Sequence, residues 1–384
     1  MLELPPLSLY IHIPWCVRKC PYCDFNSHVN SHLSKALPEQ DYLQALKRDL
    51  ESDLDFVQGR ELKTIFIGGG TPSLMSGQFY TDLLQYIATR IPLKHDIEIT
   101  LEANPGTTEA KRFEAYLKAG INRLSIGVQS FEDEHLKQLG RIHSGAEAAI
   151  AIGQAKRAGF SNFNLDLMHG LPGQSVDAAI HDLEQAISHQ PTHMSWYQLT
   201  IEPNTEYFRR PPVLPEDDAL WAIQVAGVKA LQRHGFDQYE VSAFAQPDHQ
   251  ARHNLNYWEF GDYIGVGAGA HSKMTIHDSK RILRYRKARM PNTYLHAKPD
   301  NRIGFEQIHQ EDLGFEFLMN ALRLNQGVAE SMFVQRTGLD VKALEPQLGE
   351  LRGRGLIVGK RLQTTEKGHL FLNSVLEKFA RNGI

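Results

Sequence analysis

From residue 8 to about 245, short runs of apolar and β-branched residues alternate with longer stretches whose apolar positions recur at helical spacing. The short runs are LSLYIHI around residues 8–13, TIFIGG (64–69), DIEITLEA (96–103), RLSIGVQ (123–129), FNLDLMHG (163–170), MSWYQLT (194–200) and YEVSAFA (239–245). The amphipathic stretches include DYLQALKRDLESDL, TEAKRFEAYLKAG and DALWAIQVAGVKALQRHG. A strand that is apolar almost throughout is covered on both faces, so the alternation predicts repeated βα units around a parallel sheet. The expected fold class is α/β, a partial (βα)6-type parallel barrel over residues 1–245.

Regularity falls away after that. Residues 246–310 read as an irregular segment packed on the barrel, carrying HNLNYWEFGDYIGVGAGAHS and a basic run, KRILRYRKAR, at 280–289. From 311 to 384, EDLGFEFLMNALRL opens a set of helical patterns, GLIVGKRLQTTEKG reads as a short hairpin, and HLFLNSVLEKFA closes as a helix. Helices with a hairpin before the last one predict a small winged-helix-like α+β domain.

Polar and glycine-rich residues gather just after the strands, in GGGTPS at 68, EANPGT at 102, GVQSF at 127, DLMHGLPG at 166 and TIEPNT at 200. Any one of these is ordinary turn punctuation. Five in succession, carrying Glu102, Gln129 and Asp166, point to one mouth at the C-terminal ends of the strands, where barrels assemble ligand chemistry.

With 384 residues and 42% hydrophobic content, the chain can bury the core of one large domain and a smaller one. A formal charge of -4 gives no global pull toward nucleic acid or anionic lipid. No run approaches the roughly 18–20 apolar residues of a membrane span, and MLELPPLSLY has neither a basic n-region nor an apolar h-region. The expectation is a cytoplasmic protein with no transmembrane segment and no nucleic-acid partner. The basic run reads first as a solvated face, with peripheral membrane contact or an acidic ligand as its other uses.

All 3 cysteines lie within WCVRKCPYCDF, residues 15–25. So few thiols in so long a chain argue against a disulfide scaffold, and their clustering suggests a metal or redox site. Thiolates are soft ligands for zinc, cuprous ion or iron–sulfur clusters. Spacing alone leaves two centres open: zinc completed by His12 or His28, or a cubane cluster on Cys16, Cys20 and Cys23 with one iron left free.

Cys16-x3-Cys20-x2-Cys23, with Tyr22 just before the third cysteine, resembles the signature of radical S-adenosylmethionine (SAM) proteins. That resemblance implies a [4Fe-4S] cluster whose open iron chelates the methionine end of SAM. YIHIPWC (10–16), GGGTPS (68–73), LEANPG (101–106), SIGVQSF (125–131), LGRIH (139–143) and NLDLMHGLPGQ (164–174) are similar, in order, to the branch containing the oxygen-independent coproporphyrinogen III oxidases. By that likeness Tyr10, Gly69 and Glu102 would contact the cluster-bound SAM. Tyr22, Gly70, Thr71, Gln129, Arg141 and Asp166 match positions around its adenosine side or a second SAM. The chemistry is coherent: glycines let backbone carbonyls approach an ammonium group, a carboxylate accepts from ribose hydroxyls, and a guanidinium forks onto a carboxylate. An ion pair at the rim would account for Glu102 and Arg141 equally, and Asp166 could cap the following turn.

Two features depart from those oxidases. They carry a further cysteine where this chain has Phe25, and an N-terminal extension for which a first strand near residue 8 leaves no room. Both features, with the block His253-Asn254-x-x-Tyr257-Trp258 and IGVGAGAHS ending at His271, resemble the HemW branch, the heme chaperones. The resemblance implies heme binding, delivery to respiratory-chain heme-accepting proteins, and no oxidase turnover, with room left for a homodimer. His253 is the candidate heme ligand, with Tyr257 and Trp258 packing on the macrocycle; a bland reading has His253 bonding the backbone and the two rings filling a core. The oxidase is the competing function. A zinc-dependent DNA-binding regulator is the third.

Overall fold

The computed structural model describes residues 1–29, 37–106, 112–297 and 302–380. Its main sheet has twelve strands: β1 (Leu7–Ile13), β2 (Leu62–Gly69), β3 (Leu93–Ala103), β4 (Arg123–Gln129), β5 (Phe163–His169), β6 (His193–Gln198), β7 (Asp237–Glu240), β8 (Ala243–Ala245), β9 (Asp262–Val266), β10 (His271–Ile276), β11 (Arg281–Lys287) and β12 (Arg302–Gln307). Their order is β12-β11-β10-β9-β1-β2-β3-β4-β5-β6-β8-β7. β1 to β6 pair in parallel, each with the next, which is the expected partial barrel.

The reason lies in burial. In β1 every residue but Tyr10 is buried, so both faces are covered and the strand belongs in the interior of a parallel sheet. Helices α1 (Glu39–Asp53), α2 (Gly77–Arg90), α3 (Phe113–Ala119), α4 (Gly145–Ala158), α5 (Val176–Ser188) and α6 (Asp217–Arg233) follow or separate these strands. α4 opens with a capping box between Ser144 and Glu147 and stops at Gly159 in the left-handed conformation. The start of TEAKRFEAYLKAG lies outside the described residues, and α3 is its described end.

Two stretches differ from the sequence expectation. YEVSAFA is not one strand but the turn of an antiparallel pair, β7 and β8. Side chains close that turn: Gln238 Nε2 donates to the Val241 carbonyl and the Ser242 N–H donates to the Glu240 carboxylate. Residues 246–310, expected to be irregular, hold helix α7 (Arg252–Trp258) and four strands that continue the sheet past β1. β9 runs parallel to β1, and β10 to β12 follow antiparallel. Their signature is hidden by glycine and charge. Gly265 and Gly267 sit where a Cβ would come 2.0 Å from the His271 carbonyl oxygen and 2.4 Å from that of His12, so GVGAGA is a tight connection packed on β1. Lys273 and Lys287 are buried in β10 and β11, which breaks the apolar alternation.

The C-terminal section has helices α8 (Leu313–Ala321), α9 (Glu330–Thr337) and α10 (Gln347–Gly353), and a small antiparallel pair of Val328–Ala329 with Arg361–Leu362. The closing helix is two pieces, Glu366–Leu370 and Leu372–Glu377, broken at Phe371. Phe317, Phe333, Leu348 and Leu351 form the middle of its core, which Leu2, Phe260 and Ile282 complete from outside. Among the described residues no helix is long and apolar enough to cross a membrane.

Candidate functional site

The cysteine loop leaves β1 and is pinned from the glycine loop after β2. Gly70 N–H donates to the Ile13 carbonyl (2.7 Å) and Thr71 N–H to that of Trp15 (2.8 Å). Cys16 is buried, while Cys20 and Cys23 are half-buried. The Thr71 hydroxyl donates to Cys16 Sγ (3.5 Å), and Arg141 Nη1 donates to Cys20 Sγ (3.7 Å). Asn104 joins the two, because its Nδ2 donates to Thr71 Oγ1 (3.0 Å) and its Oδ1 accepts from Arg141 Nη2 (2.7 Å). A continuous hydrogen-bonded chain thus links two of the three cysteines through the connections that follow β2, β3 and β4.

These groups line a cavity of about 450 Å3 that also takes in Cys23, Tyr22, Gly69, Glu102, Gln129 and Asp166. The barrel mouth foreseen from the loops is therefore one space. Gln129 reaches it from a left-handed backbone (φ 71°), an uncommon conformation for a residue with a Cβ. Tyr22 packs beside Leu139 and Met168. Arg141 does not pair with Glu102; it holds the Gly127 carbonyl (2.8 Å) and Asn104, and its buried Nε has no partner among the described residues. Nor does Asp166 cap a turn: its carboxylate accepts from Ser125 Oγ and Asn164 Nδ2, both at 2.9 Å.

The donor set fits a thiolate-held iron–sulfur cluster. His12 is spent, with Nδ1 on the Tyr10 hydroxyl (3.0 Å) and Nε2 on the Asn26 carbonyl (2.9 Å), and His28 Nε2 lies on Asn26 Oδ1 (3.1 Å). His12 therefore has no ring nitrogen to offer as the fourth ligand that zinc requires, and His28 keeps one of its two on an amide oxygen. Among the described residues no three His, Cys, Asp or Glu side chains converge on a single-ion position; a cluster in which each thiolate meets its own iron needs no such convergence. Burial pushes the Cys16 and Cys23 thiols up, so the metal itself must favour their deprotonation.

Glu102 is strongly perturbed in this space. Burial first, and then the nearby Asp166 carboxylate, push it up to about 8, against the Gly69 N–H that it accepts at 3.1 Å. Asp166 is itself raised, by burial. A folded-state value above the unfolded one means that the stabilisation from protonated Glu102 is complete below the usual carboxylate range and is lost as pH rises through about 8. Without ligands, the protein is expected to lose stability between about pH 5 and pH 9, and Glu102→Gln to flatten that slope. Urea unfolding at several pH values checks this, and an unchanged slope in the variant would contradict it.

A second cavity of about 750 Å3 lies alongside and shares Asp24, Phe25, Gly69 and Glu102 with the first. Tyr10, Tyr257, Trp258, Tyr263, His271, Arg284, Arg286 and Arg289 line it. His253 does not. It is 1% exposed, with Nδ1 on Thr64 Oγ1 (2.7 Å), Nε2 on the Tyr257 hydroxyl (2.9 Å) and its backbone N–H on Glu98 Oε1 (3.1 Å). Burial pushes its ring down to about 3. The structure thus removes His253 from the candidate heme ligands: both ring nitrogens are spent inside the core, on side chains rather than backbone. The basic run is equally particular, since Lys287 is buried and Arg284 forks onto Glu316 with both bonds at 2.6 Å.

Residues 10–186 match the radical SAM superfamily, and residues 308–371 match the HemN C-terminal domain. Over 381 residues the chain is 54% identical to the heme chaperone HemW of Escherichia coli strain K12, with 99% of each chain covered. The chain belongs to the HemW family. Its HemW relatives in Haemophilus influenzae and Bacillus subtilis are 50% and 33% identical, over 99% and 97% of this chain and 99% and 98% of theirs. In fold, this HemW-family chain is similar to the coproporphyrinogen III oxidase HemN of Escherichia coli, a radical SAM enzyme. The TM-score is 0.82 and the identity 23%, covering 98% of this chain and 91% of that one. The family inferred from the motifs and the partial barrel inferred from the alternation of runs are both borne out.

Two residues that position this HemW-family site escaped the sequence reading. Asn104 was seen only as part of a turn. Asn26 follows Phe25, and its Nδ2 donates to the carbonyls of Ala268 and Arg289, each at 2.9 Å, while Oδ1 accepts from Arg289 Nε (3.1 Å). It clamps the cysteine loop to the glycine-rich connection before β10 and to the end of β11. Adjacency to the cysteine motif was its one signal.

Proposed function

We propose that this protein holds a [4Fe-4S] cluster on Cys16, Cys20 and Cys23, binds SAM at the open iron, and carries heme in the cytoplasm to apo-proteins of the respiratory chain. The observation that carries the reading is the pair of adjoining cavities, one lined by thiols and one by aromatic rings and arginines, with Phe25, Gly69 and Glu102 in their common wall. Relatives named as heme chaperones over the full length of the chain support the cargo.

When bound, the cluster and SAM would supply one-electron chemistry at the sulfonium. The chain's own contribution is placement. Thr71 and Arg141 donate to cysteine sulfurs, which stabilises thiolates and tunes a cluster's potential. The loop Gly68–Gly70 offers backbone carbonyls to an ammonium group, and Arg141 keeps an unpartnered Nε for a carboxylate. Glu102, protonated at neutral pH, can both donate to and accept from ribose hydroxyls. Asp166 and Gln129 complete the wall on the nucleoside side.

A second reading, turnover of coproporphyrinogen III by a radical enzyme, draws on the completeness of the thiol cavity. Phe25, at the wall where the oxidases that the motif resembles carry a cysteine, favours the carrier. Anaerobic reconstitution with iron and sulfide, followed by heme titration and an oxidase assay on one preparation, separates them. The expected result is a brown protein, colourless as Cys20→Ala, that binds heme and leaves coproporphyrinogen III unchanged. Product formation without heme binding would sink the carrier reading.

A further inference from the structure

With His253 spent in the core, the carrier lacks an assigned iron ligand. We propose that heme sits in the 750 Å3 cavity beside Phe25, with His271 as its axial ligand and Arg286 and Arg289 holding its propionates. The assignment rests on the carrier reading above and adds the site and the groups that recognise the cargo.

Two imidazoles line this cavity, His12 and His271. His12 has both ring nitrogens bonded, to Tyr10 and Asn26. His271 is exposed at the first position of β10, and neither of its ring nitrogens has a hydrogen-bond partner among the described residues. Its backbone is fixed, paired with Arg286 across the antiparallel ladder and carried on a connection clamped by Asn26. Partial burial, then Arg286 and Arg284, hold the ring below its ordinary value, so at neutral pH its lone pair is free for a metal.

The cations sort in the same way. Of the five that line the cavity, Lys273 is spent on Asp262 (3.1 Å), Arg284 on Glu316, and Lys287 on Asp49 and Asp53. Arg286 and Arg289 have no carboxylate partner among the described residues, although Arg289 donates Nε to Asn26. Two guanidiniums without a carboxylate partner beside an imidazole with both nitrogens free match a macrocycle with one iron and two carboxylates. In the same lining, Tyr257 and Tyr263 meet edge to face at 4.7 Å, and Phe25 stands 59% exposed. An aromatic ring left in water at a cavity wall is apolar surface for a flat ligand to cover. The shared wall would set the edge of that ligand beside the cluster cavity.

The test is a titration of anaerobically reconstituted full-length protein with heme and, separately, with heme dimethyl ester, following the Soret band and the cluster absorption together. Wild type should bind heme with an imidazole-ligated spectrum. His271→Gly should lose that signature and bind about tenfold or more weakly with the cluster unchanged, and added imidazole should restore the spectrum. Arg286→Ala with Arg289→Ala should weaken heme roughly three- to tenfold and leave the ester unaffected. If wild type binds heme but His271→Gly keeps the same spectrum and affinity, the ligand assignment is overturned; equal losses for acid and ester overturn the propionate assignment. Absence of heme binding by wild type would overturn the carrier reading and this site with it.

Discussion

Replacing Lys287 with Ala should cost about 3–5 kcal/mol of stability at neutral pH, a cost not expected at an ordinary lysine. Lys287 is wholly buried, with Nζ 2.5 Å from Asp49 Oδ1 and 2.7 Å from Asp53 Oδ2. Asp49 also accepts from the Tyr294 hydroxyl (2.6 Å) and the Gly267 N–H (2.9 Å). The group ties α1, the connection before β10 and the end of β11 into one unit. Removing the ammonium leaves two carboxylates of one helix facing each other out of water, with hydrogen bonds but no cation. Asp53, raised to about 6 chiefly by burial even with Lys287 present, would rise further. The deficit should therefore shrink as the pH is lowered and Asp53 takes up a proton. Lys287→Met combined with Asp49→Asn and Asp53→Asn should recover much of the loss, because no charge is then buried unpaired. Urea unfolding at two pH values measures all three quantities. A loss under about 1 kcal/mol at neutral pH would mean that water reaches the triad. Since β11 also carries Arg286, Lys287→Ala should also weaken the heme binding proposed above.

The parts legible in the sequence were those where one physical cause dominates. The inner stretches of β1 to β6 are buried on both faces, which forces apolar runs, and helices between them force the complementary period. The cysteine loop was legible because three thiols are rare and their spacing is constrained. β9 to β12 were not, because β10 and β11 bury Lys273 and Lys287, β12 is exposed along almost its whole length and the connection before β10 is glycine-rich, so neither alternation nor turn chemistry points to a sheet. The two histidines show a different limit. His253 stands in a conspicuous block and His271 at the end of a glycine run, yet what separates them is whether the ring nitrogens are already bonded. Those partners, Thr64 on β2 and Tyr257 one turn along α7, are set by packing across 189 residues and by a helix of seven. Asn26 and Asn104 fall in the same class: amides whose value lies in what the fold brings to them.

Gly70→Ala should separate the cluster site from the fold. A Cβ on Gly70 would stand 2.6 Å from the Trp15 carbonyl oxygen and 3.1 Å from Cys16 Sγ. The first contact is with backbone, so the strain cannot be relieved by turning a side chain. It falls on the stretch between β1 and Cys16, where the Gly70 and Thr71 N–H groups bond the Ile13 and Trp15 carbonyls. Overpacking of this kind costs about 1–3 kcal/mol. The larger consequence is local, since moving Trp15 away also parts Thr71 from Cys16 and breaks the chain through Asn104 and Arg141 to Cys20. Iron bound after reconstitution should fall severalfold while the far-ultraviolet spectrum stays that of wild type. Gly353→Ala is the matched control, because a Cβ there meets nothing within 4 Å, and in α10 alanine should stabilise by about 0.5–1 kcal/mol. Full iron content in Gly70→Ala would show that the loop yields elsewhere. Gly69 next to it is excluded as a substitute test: at φ 119° any side chain is strained, and its Cβ would also strike His12. Gly70 has no such backbone demand, so a loss of iron there isolates close approach itself as the reason for glycine beside the first cysteine.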